Sequence, residues 1–112
     1  MLKIERENNR FIVSFFKVSR LNTTISKIIE KQLSQLLNEN GAELLLDLQG
    51  IKFIDTSGFN TLHKLNGIAE KYNSRLILTN VSAEVKDLFR LLEVEDAFTV
   101  CVYPEKVAEV VK

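Results

Sequence analysis

The residues most able to do chemistry in this 112-residue chain lie together in "FIDTSGFNTL", Phe53 to Leu62. Asp55, Thr56 and Ser57 put a carboxylate and two hydroxyls in a row before Gly58, between two apolar runs. A serine nucleophile needs a base within reach. The only histidine, His63, falls six positions beyond Ser57 on the side of the expected helix away from the apolar stripe, where an exposed helical residue is expected. The stretch also lacks the G-x-S-x-G elbow of hydrolases, and the four glycines form no phosphate-binding loop. Asp47 and Asp55 both follow apolar runs, but no third ligand accompanies them, so neither a metal nor any other cofactor is expected. The remaining chemistry is modification of a hydroxyl, or capping of a helix: a serine at an N-cap accepts a hydrogen bond from a free backbone amide, worth ~1 kcal/mol. Ser57 is the residue expected in that place.

These residues need a scaffold. Leu2 to Glu5 and Phe11 to Lys17 read as two strands joined by a polar turn. Ile25, Ile28, Ile29, Leu33, Leu36 and Leu37 recur at spacings of three and four and predict a helix, with Asn22, Thr23 or Thr24 as its cap and Asn40-Gly41 as its stop. "ELLLDL" is the continuous apolar run of a strand buried on both faces, and Ile51 to Ile54 return to the core. From Ser57 onward, Phe59, Leu62, Leu65, Ile68, Ala69 and Tyr72 trace a second helical stripe. "RLILT" reads as a strand, "SAEVKDLFRLL" as a helix opened by Ser82, and "FTVCVY" as a strand, with a last helix from Pro104 through Val111. The alternation implies one α/β domain over 1–112: an open, mostly parallel sheet of four to five strands with about four helices packed on it.

Composition narrows the partners. Fifteen basic residues balance fifteen acidic ones, without the electrostatic footprint of a nucleic-acid binder or a membrane-surface patch. Hydrophobic residues at 46% and charged residues at 27% are those of a globular domain. Cys101, the single cysteine, lies in an apolar run and reads as a small buried hydrophobe. The polar N-terminus is unlike a signal peptide and no stretch approaches membrane-spanning length, so a cytosolic chain with no membrane insertion is expected.

Read together, "LLLDLQGIKFIDTSGFNTL" and "RLILTNVSAEVKDLFRLLEVEDAF" resemble the signature of the STAS family, the anti-sigma-factor antagonist domains. The first gives a buried strand ending at Asp47, a short bridge, then Phe53-Ile54-Asp55-Thr56-Ser57-Gly58. The second gives a strand, then a helix carrying Val85, Leu88 and Phe89. The resemblance covers nearly the whole chain. It implies a non-enzymatic interaction module that binds an anti-sigma factor, itself a serine kinase, and is released from it by phosphorylation at Ser57, with Thr56 the competing hydroxyl. A serine phosphatase would reverse the modification. The implied partner surface comprises Asn22, Asp55, Thr56, Ser57, Gly58, Phe59 and Asn60, on a monomer or weak dimer. One departure stands out: where the family shows G-x-L-D after its second strand, this chain has Ser19-Arg20-Leu21-Asn22, an amide in place of the acid. That departure favours a second reading, a constitutive scaffold subunit of a stress-sensing or lipid- or anion-transport complex. A third, with Asp47 as a phospho-acceptor resembling that of response-regulator receivers, lacks their acidic pair: the corresponding stretch is Phe16-Lys17-Val18-Ser19.

Overall fold

The computed structural model describes residues 1–101. Strands β1 (Leu2–Glu7) and β2 (Arg10–Phe15) form an antiparallel hairpin, turned at Asn8 in the left-handed region (φ 57°). A two-residue strand β3 (Arg20–Leu21) leads into helix α1 (Thr23–Leu37). Then come β4 (Glu43–Asp47), the two-residue β5 (Phe53–Ile54), α2 (Thr56–Lys71), β6 (Arg75–Thr79) and α3 (Ala83–Leu91). A 3-10 turn (Glu95–Ala97) precedes β7 (Thr99–Cys101).

The main sheet has the order β1-β2-β4-β6-β7, with every pair but the first parallel. Its alternation sorts the side chains. Phe11, Val13, Leu44, Leu46, Leu76 and Leu78 join the principal core, together with Ile29, Leu33 and Leu37 of α1, Leu62, Leu65 and Ala69 of α2, and Val85 and Phe89 of α3. Leu45 and Ile77 belong to a second, smaller cluster with Ile12, one residue out of phase and so on the opposite face of the sheet. β4 is thus buried on both faces, as its unbroken apolar run predicts. At about 2 kcal/mol for each fully buried aliphatic side chain, the helix faces and sheet hold each other in place.

At the N-terminal end of the parallel strands, Arg10, Glu43 and Arg75 stand side by side across β2, β4 and β6. Glu43, 7% exposed, accepts from Arg10 Nε and Nη2 at 3.1 and 3.0 Å and from Arg75 Nη1 at 3.2 Å. Two guanidiniums satisfy one carboxylate that could not be buried alone.

The sheet is at the upper end of the strand number expected, and three α-helices are described. The fourth, from Pro104 to Val111, lies outside the described residues, as do Val102, Tyr103 and the side chain of Cys101. Three expectations need correction. α1 ends at Leu37, three residues before Asn40, and Gly41 (φ 79°) belongs to the turn that follows. Tyr72 is exposed because it is the C-cap of α2, past the last turn that touches the core. Within the run Ile51 to Ile54 only Ile51 and Ile54 are buried, while Phe53 is 43% exposed.

Candidate functional site

The Asp55–Gly58 segment sits at the C-terminal end of the main sheet, where β4 hands over to α2. Leu48 and Ile51, both fully buried, close a turn over Gly50 (φ 87°). The chain then runs parallel to the segment after β2: Lys52 N donates to Ser19 O (2.7 Å), Arg20 and Leu21 pair with Phe53 and Ile54, and Asp55 N donates to Leu21 O (3.2 Å). Two-residue strands carry no periodicity, so this small sheet is invisible in the sequence pattern. It nonetheless fixes where α2 begins. Its last hydrogen bond keeps Asp55 extended (φ −86°, ψ −178°), which is the backbone of an N-cap.

Asp55 is therefore the cap, and the expectation that Ser57 fills that role is corrected: Thr56 opens the helix and Ser57 is its second residue. Asp55 Oδ1 accepts from Gly58 N at 3.0 Å and from Ser57 Oγ at 2.6 Å. The Ser57 hydroxyl, the amides of Gly58 and Ser57, and the charge of Arg20 all favour the ionised carboxyl, and they hold its pKa below the ordinary 3.8 against some opposing desolvation. A carboxylate so stabilised accepts and orients the serine O–H bond but is a weak base toward its proton.

Gly58 has a steric reason. A Cβ there would lie 2.6 Å from Ile54 Cγ2, 2.9 Å from Leu21 O and 3.0 Å from Leu21 Cβ, all in the small sheet or its buried side chains. Only glycine lets α2 start this close to β3.

A second helix converges on the same point. Asn22 Oδ1 accepts from Ile25 N (3.0 Å) and caps α1, and the next residue, Thr23, places Oγ1 3.2 Å from Ser57 Oγ. Thr23, 34 positions from Ser57, is a site residue that the sequence pattern marks only as a possible cap. A hydroxyl at the start of α1 gives no hint of a partner until the helices are packed. Arg20 likewise carries no signal of a site role in the sequence pattern. It is exposed, its guanidinium carbon lies 5.7 Å from the Phe53 ring centroid, and it makes no salt bridge among the described residues.

Of the seven residues proposed as a partner surface, Asn22, Thr56 and Asn60 are exposed, and Asp55 and Ser57 are half-buried around the central hydroxyl. Gly58 is buried, and Phe59 turns inward, its ring edge-on to Phe89 at 5.6 Å. Asp47 is occupied structurally, accepting from Gln49 N (2.9 Å) and Asn80 Nδ2 (3.0 Å). His63 is exposed. Among the described residues no three His, Cys, Asp or Glu side chains form a group able to hold a metal, and no helix is long and apolar enough to cross a membrane.

Comparisons with known proteins bear on the family and the fold. A family model described as the STAS domain matches residues 3–109. The fold is similar to that of an anti-sigma-factor antagonist (STAS) domain protein from Planctomyces limnophilus, with a TM-score of 0.79 at 15% identity, covering 95% of this chain and 93% of that one. It is also similar to the anti-sigma factor antagonist SpoIIAA in its unphosphorylated form (TM-score 0.72, 16% identity, 96% and 94% covered). The Bacillus cell fate determinant SpoIIAA in the phosphorylated form gives a TM-score of 0.73 at 16% identity, with 100% of both chains covered. At these identities the likeness is one of fold. No curated protein matches the chain by sequence.

Proposed function

Since the chain belongs to the STAS domain family, we propose that it is a regulatory interaction module that binds an anti-sigma factor with serine kinase activity and is switched off by phosphorylation at Ser57. The observation that carries this reading is the setting of the Ser57 hydroxyl. It sits on the second residue of α2, half-buried at the strand-to-helix passage, with its proton directed to Asp55 at 2.6 Å. With Thr23 Oγ1 then donating to the Ser57 oxygen at 3.2 Å, one lone pair is left for an incoming phosphoryl group. Thr56 beside it lacks such an orienting partner among the side-chain hydrogen bonds described.

The modified state is compatible with the fold. A phosphate brings about −1.5 to −2 charges to a helix N-terminus, where free amides and the helix dipole favour an anion. The change falls on the surface and not on the core, so binding alters while folding persists. A serine phosphatase would restore the unmodified state. The kinase expected to add the phosphate is the binding partner itself, and each 1.4 kcal/mol of lost contact weakens the complex tenfold.

The test is incubation with serine kinases from the same genome and ATP, followed by intact mass and affinity. One added phosphate that Ser57→Ala abolishes, with loss of binding, is the expected result. No mass change with any of those kinases would sink the switch. A second reading, a constitutive scaffold, draws on a specific observation: the β3-to-α1 passage presents Arg20 and Asn22, a cation and an amide, with no acid in the first turn of α1. It is favoured if a complex forms and Ser57→Asp leaves it intact.

A further inference from the structure

Among the described residues Arg20, on the strand next to the Asp55–Ser57 turn, makes no salt bridge. Arg20 is exposed on β3, directly paired with Phe53 of β5, and two residues further along β5's chain stands Asp55, whose carboxyl already feels the Arg20 charge. It rests over the half-exposed Phe53 ring at 5.7 Å, a contact that orients the guanidinium without using its N–H donors. Thr23, exposed at the start of α1, has its hydroxyl 3.2 Å from the Ser57 oxygen. Thr23 thus touches the acceptor hydroxyl directly, and Arg20 stands on the strand beside the Phe53–Asp55 segment that leads to it.

We infer that Arg20, assisted by the Thr23 hydroxyl, is a built-in receptor for a phosphate on Ser57: phosphorylation closes an Arg20–phosphate pair within the domain. The inference rests on the reading of Ser57 as the modified residue and adds what the modification does. Transfer of the ATP γ-phosphoryl group to Ser57 Oγ, with ADP leaving and the hydroxyl proton passing to a base of the kinase, removes the donor that Asp55 accepts from and brings a dianion that Asp55 repels and Arg20 attracts. Lys52, just before β5, is engaged with Glu84 at 3.7 Å, and the first turns of α1 and α2 carry no acidic side chain. A guanidinium presents a fork of donors matched to phosphate oxygens, and such charge-assisted bonds are the stronger kind. In the unmodified domain the same guanidinium is free for a carboxylate of a partner; in the modified one it is occupied. The switch then acts by withdrawing a cation from the partner surface, and not only by adding negative charge.

The experiment needs no kinase. Phosphoserine is incorporated at position 57 during synthesis of the full chain, and the phosphate is titrated by ³¹P NMR in the wild-type background and in Arg20→Gln, Arg20→Lys and Thr23→Val. The second ionisation of a phosphoserine falls near pH ~6. Arg20→Gln is expected to raise the proton affinity of that phosphate at least threefold over the wild type. Arg20→Lys should give an intermediate value, because a lysine supplies the charge without the fork, and Thr23→Val a smaller rise. Arg20 is exposed, so all four proteins should keep the same amide spectrum outside the site. A titration that Arg20→Gln leaves unchanged overturns the inference while leaving kinase recognition of Ser57 untouched. Conversely, kinases that ignore Ser57 would remove the proposed function, yet the phosphate–Arg20 pair would still be read in the synthetic protein.

Discussion

Two glycines of the same helix should respond in opposite directions to the same methyl group. At Gly58 the added Cβ meets Ile54 Cγ2 at 2.6 Å and the Leu21 carbonyl oxygen at 2.9 Å; at Gly67 it meets nothing within 4 Å. Carbon atoms in contact rest at roughly 3.5–4.0 Å, so the Gly58→Ala overlap with Ile54 is about 1 Å. Relief is hard to find. Ile54 is 1% exposed, Leu21 is 0% exposed, and the Leu21 carbonyl is pinned by the Asp55 amide. Moving α2 outward would break that bond and loosen the cap. Overpacking of this kind costs about 1–3 kcal/mol, and the backbone contact places it toward the upper end. Alanine in a helix returns about 0.5–1 kcal/mol relative to glycine. Gly58→Ala is therefore predicted to lose about 1–2 kcal/mol net, and Gly67→Ala to gain about 0.5–1 kcal/mol. Urea unfolding followed by circular dichroism measures both. With slopes of about 1–3 kcal/mol per molar urea, the two midpoints should move apart by roughly 1 M, with the slopes themselves unchanged. If both alanines stabilise the protein, the argument that β3 and α2 require glycine at their contact is wrong.

Other predictions follow from the same geometry. Asp55 has a folded pKa lowered from 3.8 by the Ser57 hydroxyl first and then the Gly58 amide, so its contribution to stability is complete above the unfolded value and is lost as pH falls through the folded one. The stability advantage of wild type over Asp55→Asn should thus be constant near neutrality and shrink below about pH 4, in denaturation midpoints collected across pH; an advantage that grows on acidification would contradict the assignment. Glu43→Gln leaves Arg10 and Arg75 facing one neutral amide. It should cost about 1–3 kcal/mol in urea unfolding, less than a fully buried pair because Arg75 reaches solvent; a neutral outcome would mean the row of charges contributes nothing net. Leu46→Ala, at a position with 0% exposure in β4, should lose about 2–5 kcal/mol by the same measurement. Ser57→Ala, by contrast, removes one hydroxyl from a half-buried surface position and should shift the midpoint little, so its loss of modification can be read without a folding defect.

Much of this molecule is legible in one dimension because its signals are periodic. Ile29, Leu33 and Leu37, or Leu62, Leu65 and Ala69, repeat with the helical turn and end on the buried face. The unbroken run Leu44–Leu46 identifies a strand with two covered faces, and alternation of strands with helices implies parallel pairing. The D-T-S-G block likewise shows that a polar turn stands between a buried strand and an amphipathic helix. What those rules miss is contact between residues far apart in the chain. Asp55 and Ser57 are equally good caps by residue type, and the choice between them falls to a hydrogen bond from Asp55 to Leu21, 34 residues away. Gly58 looks like a turn glycine, but its requirement comes from the two-residue ladder pressed against it, a ladder too short for any periodicity. The neighbourhood of Ser57, with Thr23 on one side and Arg20 stacked on Phe53 nearby, exists only because α1 and α2 start side by side. Local sequence thus determined which segments become helices and strands, since propensity and periodicity act over a few residues. Packing alone decided which side chains surround the acceptor hydroxyl, because that arrangement is set by distance in space across some 34 residues of chain.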